Sequence, residues 1–114
     1  MALLAGWQVP VIGAILEKAT DAAGRPLHVE LLAAPEQGRE LFESDEFAAG
    51  YVNFYVCNGA VVVPRFGDDT ADATARDQLA DLYPGRAMVQ LDIDPVAEGG
   101  GGIHCATQQQ PKVG

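Results

Sequence analysis

Ile12, Ile15, Leu16, Ala19 and Ala23 recur at the spacing of one helical face, and Gly24 with Pro26 two residues later is a stop signal, so the pattern predicts a helix over residues 11–23. Residues 27–33 then alternate, with Val29 and Leu31 on one face and His28 and Glu30 on the other, as in a strand with one solvated side. Residues 34–50 mix Pro35, Gly38 and acidic residues with the apolar anchors Leu41, Phe42 and Phe47, and read as a long loop with one helical turn at most. Residues 51–57 and 60–65 are rich in aromatic and branched side chains and are separated by Asn58-Gly59. That dipeptide predicts a hairpin closed by a type I′ turn. Period-two alternation sends Val52, Phe54 and Val56 to one face and Tyr51, Asn53, Tyr55 and Cys57 to the other.

Beyond the hairpin, Gly67-Asp68-Asp69-Thr70 offers oxygen caps, and Ala71, Ala75, Leu79 and Leu82 follow at helical steps before Pro84-Gly85, which predicts an amphipathic helix. Residues 88–93 alternate as a strand with Val89, Leu91 and Ile93 on one face, and Asp94-Pro95 is expected to end it. Gly99-Gly100-Gly101-Gly102 makes a turn, and a short strand carrying His104 and Cys105 is expected after it. The predicted class is therefore α/β (α+β): about one ββαβ unit whose small mixed sheet is covered by helices. No internal repeat is visible.

The first residues, from Met1 to Leu16, are apolar and carry no Lys or Arg, so the basic start of a signal peptide is missing, and Pro10 interrupts a run already short for a bilayer. This segment is expected to pack on the domain or in a subunit interface, and membrane association is not expected. A chain of 114 residues with 48% hydrophobic and 20% charged residues suits a single folded, soluble domain. The net charge of -9 argues against nucleic acid, whose phosphates need Lys and Arg, and is compatible with a cationic ligand. Cys57 and Cys105 are the only cysteines, and no spacing of Cys and His resembles a zinc site. Neither metal nor cofactor is expected, and reduced thiols in a cytoplasm are favoured over a disulfide.

Cys105 is the candidate nucleophile, since a thiolate delivered beside bare glycine backbone leaves room for a ligand to approach. Gly100, Gly101, Gly102, His104 and Asn53 are candidates for substrate contact. Asn53 could equally hydrogen-bond a neighbouring loop, and His104, if its segment is extended, would face away from Cys105. Asp92, Asp94 and Glu98 flank the glycine turn as possible carboxylates. Cys57, in a run that reads as strand, is expected to be a small core residue.

The string Gly99-Gly100-Gly101-Gly102-Ile103-His104-Cys105-Ala106-Thr107-Gln108-Gln109-Gln110-Pro111 resembles the C-terminal signature of the agmatine deiminases, in the guanidino-modifying superfamily that also holds the bacterial-type peptidylarginine deiminases and arginine deiminase. The resemblance extends back through Tyr51-Val52-Asn53-Phe54-Tyr55, the segment from Asn58-Gly59 to Phe66-Gly67, and Tyr83-Pro84-Gly85-Arg86. It divides the chain into a divergent apolar segment, residues 1–15, and a deiminase-like module, residues 16–114. Members of the family are much longer, so the chain corresponds to a C-terminal portion of the pentein α/β propeller. The resemblance implies hydrolysis of a guanidino group, agmatine to N-carbamoylputrescine and ammonia, through Cys105, with no metal. It also implies that the Asp, Glu and His partners of the reaction lie upstream, in a missing enzyme half or supplied by a homo-oligomer. A non-catalytic module, self-assembling or binding guanidines and polyamines, is the alternative.

Overall fold

The computed structural model describes residues 2–5, 12–39, 47 and 49–113. Its elements in chain order are β1 (Ala2–Ala5), α1 (Ala14–Leu16), β2 (Val29–Leu32), β3 (Tyr55–Cys57), β4 (Ala60–Arg65), α2 (Asp69–Leu82), β5 (Ala87–Asp92) and α3 (Asp94–Glu98), followed by a single 3-10 turn, His104–Ala106. β1 pairs with β2 in parallel. β3, β4 and β5 form a mixed sheet in that order, antiparallel between β3 and β4 and parallel between β4 and β5. The run β3-β4-α2-β5 is the ββαβ unit expected from the sequence.

α2 forms where a cap and a periodic face coincide. The Asp68 carboxylate accepts from Ala71 N at 3.1 Å, satisfying one of the donors that a helix start leaves open. Ala75 and Leu79 are buried beneath the helix against Val61 and Val63 of β4, both fully buried. Phe66 stands edge-on to Tyr51 at 5.4 Å between ring centres, and Phe54 meets Tyr83 in the same way at 5.9 Å. The buried Asp72 lies on the inner side of α2. It accepts from the Tyr51 hydroxyl at 2.7 Å, from Phe66 N at 2.9 Å and from Gly67 N at 3.1 Å, so no lone pair is stranded in the core.

Several elements differ from the expected pattern for local reasons. The helix over residues 11–23 is reduced to the single turn of α1, with Val11 outside the described residues. The Asp21 carboxylate takes the N–H groups of Ala23 at 2.9 Å and Arg25 at 3.0 Å, and Gly24 turns left-handed at φ 78°, so side chain-to-backbone bonds hold residues 21–25 in a turn where the last helical turn was expected. β2 is shorter than expected, and its buried residue is Leu32, while Leu31 is 49% exposed. Residues 51–54 bend rather than extend, which breaks the expected alternation and buries both Tyr51 and Phe54. At the hairpin only Gly59 is left-handed, at φ 76°, so Asn58 does not meet the requirement of a type I′ turn.

In β5 the alternation runs as expected, but its apolar side, Val89 and Leu91, is 41% and 47% exposed. The residues turned toward α2 are Met88 and Gln90, and Gln90 Nε2 donates to the Asp72 carbonyl at 2.8 Å. β5 ends at Asp92 as expected, but Asp94-Pro95 leads into the helix α3 rather than directly into the glycine turn, because proline in the first helical turn lacks an N–H that would have no partner there anyway. The short strand expected after the glycines is the 3-10 turn His104–Ala106.

Candidate active site

The glycine run is first of all the end of α3. Gly100 N donates to the Ala97 carbonyl at 2.9 Å and Gly101 N to the Val96 carbonyl at 3.3 Å, with Gly100 left-handed at φ 84°. That double closure is a Schellman cap, and it needs a residue without a Cβ at position 100. Gly102 and Ile103 are then buried, which anchors the chain before the 3-10 turn carries Cys105 back to the surface.

Asn53 meets this turn from the bend before β3. Its Nδ2 donates to Cys105 Sγ at 3.1 Å, and its Oδ1 accepts from His104 N at 2.7 Å. A Cβ built on Gly102 would lie 2.4 Å from Asn53 Cγ and 2.5 Å from Nδ2, so the asparagine side chain occupies the space a larger residue would need. The Asn53 amide, followed by the Gly102 backbone N–H, draws the Cys105 thiol below its ordinary pKa against an opposing effect of partial burial. A lowered thiol pKa gives more of the attacking thiolate near neutral pH.

The remaining candidates sit around this centre without joining it. His104 is exposed, and its Nε2 lies 3.0 Å from Gln109 Nε2. Gly101 makes only ordinary contacts, 3.7 Å to the Val96 carbonyl and 3.8 Å to Cys105 Cβ from a built Cβ. Cys57 is half-buried in β3, with Sγ 3.5 Å from the Ala60 carbonyl. Glu98 is exposed at the end of α3.

Asp92 and Asp94 are committed elsewhere. The Arg39 guanidinium donates through Nε to Asp94 Oδ2 at 2.7 Å, and through Nη2 to Asp94 Oδ1 at 2.7 Å, Asp92 Oδ1 at 3.0 Å and the Arg65 carbonyl at 2.6 Å. Arg39 holds the Asp94 carboxyl below the usual carboxylate range. This clamp joins the ends of β4 and β5 to the start of α3, and so fixes the base of the glycine turn. The sequence offered no signal for Arg39, which is 55 residues from Asp94. Among the described residues no cluster of three or more His, Cys, Asp or Glu is placed to hold a metal ion, and no helix is long and apolar enough to cross a membrane.

Fold and site together define an α/β module of ββαβ type that displays a hydrogen-bonded thiol at the end of a capped glycine turn. The chain belongs to the Porphyromonas-type peptidyl-arginine deiminase family, whose model matches residues 9–111. It is 45% identical over 104 residues to a protein of Streptomyces avermitilis named a provisional agmatine deiminase, covering 90% of this chain and 28% of that protein. A similarly named protein of Selenomonas ruminantium is 40% identical over 116 residues, covering 87% and 31%. Agmatine deiminase of Enterococcus faecalis superposes with a TM-score of 0.77 at 33% identity, covering 89% of this chain and 32% of that one. The chain thus spans about a third or less of the length of these relatives, and its fold is that portion of the pentein deiminases.

Proposed function

We propose that this chain is the nucleophile-bearing portion of a guanidino hydrolase that acts on agmatine, with Cys105 as the attacking group. The observation that carries the reading is the exposed Cys105 thiol held at 3.1 Å by the Asn53 amide beside the glycine turn. The thiolate adds to the guanidinium carbon, and the bond from that carbon to a terminal nitrogen breaks as the nitrogen gains a proton and leaves as ammonia. Water then adds to the resulting amidino thioether, the carbon–sulfur bond breaks, and the ureido product N-carbamoylputrescine leaves with the thiolate restored. Atoms balance with water as the co-reactant, and charge is carried off as ammonium.

Carboxylates that hold the guanidinium and a histidine that moves protons are also needed. Asp92 and Asp94 are bound to Arg39, which favours supply of those groups from outside this copy of the chain, by the remainder of a full-length enzyme or by a second copy in a homo-oligomer. The exposed apolar side of β5, Val89 and Leu91, suits such an association. Both cysteines are free thiols, and a nucleophile that must stay reduced suits a reducing compartment such as the cytoplasm.

The test is ureido-product formation from agmatine by the chain combined with the part of the Enterococcus relative that it does not align with. Product is expected, and Cys105→Ala should lower the rate by about four orders of magnitude or more. Product formed equally well by Cys105→Ala, or none from a complex that assembles, would contradict the reading.

A further inference from the structure

Asn53 has more ties to the site than a substrate contact would need. Its amide spans the turn, with Nδ2 on Cys105 Sγ at 3.1 Å and Oδ1 on His104 N at 2.7 Å. Its Cγ, Nδ2 and Cβ fill the space over Gly102, at 2.4, 2.5 and 2.8 Å from where a Cβ would stand. We propose that Asn53 is the positioning residue for Cys105: it fixes the thiol's place and presents a neutral donor to the sulfur, and Gly102 is glycine in order to seat it.

The orientation of the amide follows from chemistry. A backbone N–H can only donate, so His104 N requires the oxygen of Asn53, and the NH2 group is thereby turned to the sulfur. With a donor as its side-chain hydrogen-bond partner, the sulfur is best satisfied as an acceptor, which favours thiolate over thiol. An aspartate at 53 would keep the bond to His104 N but face the sulfur with an anion and no donor. An alanine would remove both bonds and leave the sulfur without this donor. The expected order of thiolate stabilisation is therefore asparagine, then alanine, then aspartate.

This assignment rests on Cys105 as the nucleophile for its meaning, but its test does not depend on turnover. In a Cys57→Ser background, the rate of Cys105 alkylation by iodoacetamide is followed against pH, with thermal melting as the check on folding. The parent midpoint should lie below that of an ordinary thiol. Asn53→Ala should raise the midpoint and slow alkylation at pH 7 by about threefold to tenfold, and Asn53→Asp should raise it further. Gly102→Ala, which leaves Asn53 in the sequence but denies it its seat, should shift the midpoint in the same direction. An unchanged midpoint in a folded Asn53→Ala or Gly102→Ala variant, or an Asn53→Asp midpoint at or below that of Asn53→Ala, would overturn the proposal. Shifted midpoints with no ureido product would uphold Asn53 as the positioning residue and count against the hydrolase reading alone.

Discussion

Gly100 and Gly102 are both glycines of one run, yet for different reasons. Gly100 is glycine because its backbone is left-handed at φ 84° to close α3, whereas Gly102 is glycine because Asn53 stands where its side chain would be. Gly100→Ala should therefore cost about 1 kcal/mol of stability through backbone strain, read by urea denaturation. Arg39 is the other residue on which the site's base depends. Arg39→Met removes the partner of Asp94, whose side chain is only 8% exposed, and should destabilise by about 1–2 kcal/mol at pH 7, discounted because Arg39 itself is one-third exposed. That difference should shrink as pH falls and Asp94 is protonated; a penalty independent of pH would argue against the ion pair. The sequence made Cys105, Asn53 and the glycines legible as a constellation, but not their division of labour, which depends on a contact between residues 52 apart.

At the scale of elements, legibility followed the number of local signals that agreed. α2 was readable because a cap and a period coincided, and the β3–β4 hairpin because Asn58-Gly59 marks its turn, although the alternation over residues 51–54 and the type I′ geometry did not follow. α3 was missed because Asp94-Pro95 reads as a stop when only the preceding strand is considered. The 3-10 turn at Cys105 spans too few residues to carry a period, and the end of the helix expected to residue 23 is a turn held by the carboxylate of Asp21. α2 covers β4 and β5 through its buried face, so Leu79→Ala, at a fully buried position, should cost about 2–4 kcal/mol. A urea midpoint shifted by less than the cost of an exposed substitution would show that the Leu79 face of α2 is not part of the core.

For the whole molecule, buried and capped carboxylates make stability depend on pH in a defined sense. Asp68 is held below the ordinary carboxylate range first by the Ala71 N–H and then by the Glu36 N–H, and Asp94 by Arg39. Depressed folded values mean that their contribution is complete above the unfolded carboxylate pKa of about 4 and is lost as pH falls through the folded values. The melting temperature should therefore decline below about pH 4. Tyr51 has the opposite sign: burial, with Asp72 as hydrogen-bond partner, raises its pKa, so its contribution is complete below the unfolded tyrosine value of about 10 and is lost as pH rises beyond it. Melting temperature against pH should show a loss on each side, and Tyr51→Phe should flatten the alkaline one. At this scale the sequence conveyed the ββαβ unit and its family, while the exposed side of β5 depended on which alternating set faces α2, and that is settled only by the pairing of β4 with β5.

The central claim is that Cys105 attacks the guanidino carbon, and the most direct measurement is peptide mass mapping of the assembled protein quenched in acid during incubation with agmatine. An amidino thioether confined to the peptide that carries Cys105, and absent from Cys57 and from Cys105→Ala, is the predicted result. An adduct on Cys57, or ureido product accumulating while Cys105 stays unmodified throughout the time course, would contradict it.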